Sequence, residues 1–232
     1  MIRYYLLLSS AMAFAQTLAV AAPVPKVENN DFIKLKMHTN VKLVENLHSE
    51  ERPNNNLKDL KTGKQKLGAV TYDIGEGILQ LCSLQVLEKP EKFEGIKVGR
   101  TASKLHFLQG AGFSTADDTV VGKYVIHYAD KSTAKIEIVY GKDVVDWWAY
   151  PDKDAPTRSK IVWEGENEAS LMFKAKIRLY HMEWTNPNPE KEIATIDFVA
   201  TDLEQPCAPF CVAITCESTK ETEKVEPNKG DK

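Results

Sequence analysis

Apolar and polar residues alternate along several short runs of this chain, and that two-residue rhythm leaves few folds open to it. In GKYVIHYAD (122–130), Tyr124, Ile126 and Tyr128 alternate with Val125 and His127. In KIRLYHMEW (176–184), Tyr180, Met182 and Trp184 share one parity, while Leu179, His181 and Glu183 share the other. Successive side chains of an extended strand point to opposite faces, so each run offers one set to a core and the other to a second surface. Further strands are expected at 67–72, 78–81, 104–108, 136–140, 160–163, 193–199 and 210–217, separated by turn residues. No window of a dozen residues carries a helical stripe, 166–174 is the one helix candidate, and no internal repeat is found. The pattern predicts an all-β chain forming a single antiparallel β-sandwich, two sheets meeting across one core.

Two stretches refine that expectation. In WTNPNPEKEI (184–193), Pro187 and Pro189 lack the N–H a ladder needs and disfavour helix before them. The strand should end near Trp184, turn a solvated corner and resume at Ile193. The hairpin tip Asp130-Lys131-Ser132 places a lysine where a tight turn favours glycine, because a side chain tolerates left-handed backbone poorly.

The ends of the chain are read as an address. MIRYYLLLSSAMAFAQTLAVA puts Arg3 before an apolar stretch and closes on the small residues Ala19-Val20-Ala21. This is the form of a secretory signal peptide over 1–21, which implies a secreted or periplasmic protein. Residues 22–31 (APVPKVENND) read as a linker, 32–217 as the sandwich, and the charged stretch 218–232 as a disordered tail. No integral membrane segment is expected after signal cleavage, since no later run is apolar for long enough. Lys and Arg number 30 against 33 Asp and Glu, a formal charge of −3 that becomes −4 without Arg3. Charges of both signs are interspersed, so no basic face is offered to nucleic acid.

Cys82, Cys207, Cys211 and Cys216 allow three pairings. In a regular strand the odd offset from Cys211 to Cys216 sends them to opposite faces, so they do not bridge. A bridge from Cys207 to Cys82 or Cys211 stays open. No CxxC or closely spaced histidine pair suggests a metal site, and His106, His127 and His181 read as structural residues. Asp117-Asp118 leaves a structural calcium possible, though two adjacent acids fall far short of a coordination set.

The segments GKQKLGAVTYDIGEGILQL (63–81), GIKVGRTASKLHFLQGAGF (95–113), GKYVIHYADKSTAKIEIVYGKDVVDWW (122–148) and IRLYHMEWTNPNPEKEIATIDFVATDLEQPCAPFCVAIT (177–215) resemble a secreted β-sandwich module of planctomycete-type bacteria. That module is similar in turn to the galactose-binding-like jelly rolls that accompany glycoside hydrolases. The resemblance implies a jelly-roll sandwich and a carbohydrate-binding role without catalysis, although fold alone does not fix function.

GKDVVDWW (141–148) is the stretch most open to a functional reading. If it stays extended, Trp147 and Trp148 face opposite ways and one is exposed. If it forms a helical turn capped by Asp143, both can plug an end of the sandwich. No nucleophile elbow, zinc-protease motif or phosphate loop is present. Two readings follow. A carbohydrate-binding module would hold a glycan with Asp143, Asp146, Trp147, Trp148 and Asn186, at least one indole being exposed. A structural or adaptor module for another exported or envelope protein would bury the tryptophans and show an apolar patch elsewhere.

Overall fold

The computed structural model describes residues 30–48, 52–150 and 155–218. The expected signal peptide, the expected linker up to residue 29 and the expected tail from residue 219 lie outside the described residues. The chain is all-β. Its strands are β1 (Asn30–Phe32), β2 (Val41–Lys42), β3 (Gly63–Leu67), β4 (Val70–Ile74), β5 (Gly77–Gln80), β6 (Lys92–Thr101) and β7 (Lys104–Gly112). There follow β8 (Val120–Tyr128), β9 (Thr133–Val139), β10 (Trp148–Ala149), β11 (Lys160–Gly165), β12 (Lys176–Thr185), β13 (Glu192–Ala200) and β14 (Ala208–Glu217). Among the described residues one short helix, α1 (Glu168–Met172), lies in the expected place, opened by a reciprocal cap between Asn167 and Ser170.

Antiparallel pairing builds two packed sheets. The larger runs β10-β12-β7-β14-β5-β2, with β1 on β14 and β11 on β12; the smaller runs β6-β13-β8-β9. The alternation seen in the sequence meets in the middle. Tyr124, Ile126, Tyr128, Ile196 and Phe198 from the small sheet pack with Phe107, Tyr180, Met182 and Ile214 from the large one. The rings of Phe107, Tyr124 and Phe198 stack through this core, at centroid separations of 4.1 and 4.8 Å.

The large sheet is covered on its other face as well, which a two-layer reading does not anticipate. A second core joins Leu108, Ile177, Leu179, Phe210 and Val212 of that sheet to the β3–β4 hairpin through Val70, Tyr72 and Ile74. The irregular stretch before the hairpin adds Leu43, Leu47, Leu57 and Leu60. β14 therefore lies between two apolar layers and is buried along nearly its whole length.

Three local expectations change. The run 67–72 is not one strand: Gly68, at φ +63°, turns the chain between Leu67 and its partner Val70. β14 bulges between Cys211 and Ala213, which shifts side-chain parity by one. Cys211, Ile214 and Cys216 consequently all enter the inter-sheet core, rather than Cys211 and Cys216 parting to opposite faces. The linker ends early, because Asn30 and Asp31 already pair with Glu217 and Cys216. All four cysteines are buried, Cys82, Cys207 and Cys211 are free thiols, and burial pushes the Cys211 thiol up to about 12. No helix among the described residues is long and apolar enough to cross a membrane.

Candidate functional site

The GKDVVDWW stretch forms a tight turn and then an edge strand. Gly141 takes φ +80°, and a Cβ there would run into Asp117. Asp143, fully buried, folds back to accept the Val139 N–H at 2.8 Å, so it ties the turn to β9 rather than capping a helix. Arg158 meets the same carboxylate with two bonds, at 2.7 and 2.5 Å. Asp143 is therefore committed to structure.

Beyond the turn, isolated bridges at Val144 and Asp146 and a bend at Trp147 lead into β10, so both indoles enter the second core and neither is exposed: Trp147 is 1% and Trp148 4% accessible. Trp147 packs edge-on to Phe210 and His48. Trp148 meets Phe173, donates its indole N–H to Asn55 at 3.0 Å, and lies under the guanidinium of Arg52. The stretch before the hairpin supplies His48, Arg52 and Asn55, and it covers the side that an isolated edge strand would leave open. The stacking platform expected of a glycan module is absent at these two rings.

Asn186 belongs to the opposite end of the sandwich. It follows the last residue of β12, whereas Trp148 pairs with Ile177 near the first. Nine residues of strand separate the two positions, roughly 30 Å. Asn186 is a structural knot: its carbonyl accepts from Tyr128 at 2.6 Å and its amide donates to Ala102 at 2.8 Å. Of the five proposed site residues, Asp146, Trp147 and Trp148 line one cavity together.

That cavity is a cleft of about 550 Å³ at the sandwich end. Its floor holds Trp147, Trp148, Phe113 and His48, and Arg52, Gln85, Ser114 and Tyr150 stand exposed around it. Asp146 borders this cleft and a smaller neighbour of about 310 Å³. One Asp146 oxygen accepts from the Trp148 N–H at 3.1 Å. Both ring nitrogens of His48 are buried without a hydrogen-bond partner among the described residues. Burial, with a smaller push from Lys89, lowers its pKa to about 3, so the ring stays neutral. Asp117 lines the smaller cleft, and Asp118 pairs with Lys142 at 2.6 Å, so the acidic pair does not converge on one point.

A second constellation was invisible to sequence spacing. β7 pairs with β12 so that His106 lies directly opposite Glu183, with His181 two residues away on the same face. The two imidazoles come to 5.3 Å between centroids. His127 sits apart, bonded to Asp197 at 2.7 Å, as a structural residue should.

No family model and no curated protein matches this chain.

Proposed function

We propose that this chain is an exported, non-catalytic binding module that takes a carbohydrate in the end cleft rather than on an indole platform. The supporting observation is the cleft itself. At about 550 Å³ it has the size of a small-ligand site. Around it, exposed Arg52, Gln85 and Ser114 offer donors and acceptors to hydroxyl groups, and the Tyr150 ring, 37% accessible, offers a flat apolar face. Hydroxyls that both donate and accept need such mixed partners. The resemblance to jelly-roll modules that accompany glycoside hydrolases points the same way. A glycan array followed by calorimetry checks this: binding should weaken at least tenfold in Arg52→Ala and Tyr150→Ala. Absence of any glycan ligand, or binding indifferent to both changes, overturns the reading.

One observation favours the adaptor reading instead. Both tryptophans are buried, and Leu171, Met172 and Phe173 at the end of α1 are 56%, 72% and 48% accessible. This patch suits contact with another exported protein, since Met and aromatic residues are enriched at interfaces. The cleft leads because it presents a receptor volume, whereas nothing defines what lies on the patch. A photo-crosslinker at Met172 yielding one discrete protein adduct in cells, together with a blank glycan array, would reverse that order.

A further inference from the structure

We infer that His106, His181 and Glu183 form a binding site for a divalent transition-metal ion, zinc being the best match. The trio lies on the hairpin-covered face of the large sheet, away from the end cleft, so it is independent of the carbohydrate reading. One candidate ligand atom from each residue lies within 4.8 Å of the others.

The outer partners decide which atoms are left for the ion. Glu217 faces the Nε2 of His106 at 3.3 Å. A carboxylate accepts there, so the ring proton sits on Nε2 and Nδ1 carries the lone pair. That Nδ1 is buried with no hydrogen-bond partner among the described residues, and His106 is only 4% accessible. Tyr72 meets the Nδ1 of His181 at 2.8 Å; with the phenol oxygen accepting, Nε2 of His181 becomes the ligand. Lys104 holds Oε1 of Glu183 at 2.9 Å and leaves Oε2, which stands 3.8 Å from His106 Nδ1. Two ligands bound tetrahedrally at zinc distances are roughly 3.4 Å apart. The observed separation is too long for a hydrogen bond and close to that span.

Each proposed ligand thus has one atom engaged by an outer group and the other left for the ion, the arrangement that orients metal-bound histidines. Two imidazoles and one carboxylate select zinc and its neighbours over calcium or magnesium, which prefer oxygen. Three protein ligands leave a fourth position open. Because the ligands come from neighbouring strands β7 and β12, and Tyr72 comes from the β3–β4 hairpin, an ion here would also fasten the hairpin to the sheet.

The test is zinc titration of the untagged, chelator-treated chain against a chromophoric competitor, with cobalt absorption as the signature of nitrogen ligation. We expect one equivalent bound with micromolar or tighter affinity, and thermal stability that rises with zinc. Affinity should fall at least tenfold in His181→Gln and in Glu183→Gln, and about tenfold in Glu217→Gln through its outer position. His127→Gln, on the small sheet, should bind as the parent does. Glu183 and Glu217 are partly exposed, so those variants are expected to fold; circular dichroism confirms it. Affinity weaker than micromolar, or micromolar binding unchanged by both ligand substitutions, overturns the assignment.

Discussion

Lys131 occupies the tip of the β8–β9 hairpin at φ +69°, a conformation that an L side chain adopts only at a cost. The turn around it holds regardless, because Asp130 accepts the Ser132 N–H at 2.9 Å and pairs with Lys191 at 2.7 Å. Left-handed backbone costs a side-chain residue about 1–2 kcal/mol. Glycine removes that strain and returns roughly 0.5–1 kcal/mol as extra freedom of the unfolded chain. Lys131→Gly should therefore stabilise the protein by about 0.5–1 kcal/mol, measured as a higher urea midpoint with an unchanged slope. Gly110 shows the reverse constraint: a Cβ there would strike the Phe210 ring, so β7 tolerates no larger residue at that point.

The turn from Tyr140 to Trp148 depends on Asp143 in the same sense. One buried carboxylate serves the Val139 N–H and the Arg158 guanidinium together. Hydrogen bonds to a charged group contribute about 1.5–3 kcal/mol each, and exposure of Arg158 discounts its share. Asp143→Ala should cost about 2–3 kcal/mol in chemical denaturation; the loss should appear as stability, with glycan affinity of the folded fraction unchanged. Elements like this one mark where sequence reading stops. Alternation located most of the long strands and both faces of β12, because residues that obey period two were sufficient evidence there. It failed at β14, where one bulged residue reverses parity, and at Gly68, where a two-residue turn sits inside an apparently continuous run. The burial of Trp148 was hidden for a different reason. Its cover comes from Arg52 and Asn55, in a stretch with no periodicity. The His106–His181–Glu183 trio was hidden because pairing of β7 with β12 joins residues far apart in the chain.

At the scale of the molecule, the large sheet is held between two apolar layers, and the outer layer is the less regular one. His48 links that layer to the sheet. Its ring meets Phe113, Trp147 and Phe210, and a Cβ on Gly112 would collide with it. Burial holds its pKa at about 3, and Lys89 pushes it in the same direction. In the unfolded chain the ring titrates near 6.5. As pH falls below that value the unfolded state gains a proton that the folded state refuses, so stability decreases toward about pH 3, where the folded ring would also protonate. The decrease attributable to this one ring should reach about 2 kcal/mol by about pH 5, at about 1.4 kcal/mol per unit. Urea midpoints measured between neutral pH and pH 5 should fall for the parent and fall less for His48→Gln, with burial of His106 and His181, which also lowers their pKa, contributing to the slope that remains. Equal slopes in the two proteins would mean that the ring reaches solvent and that the outer layer is not sealed against the sheet.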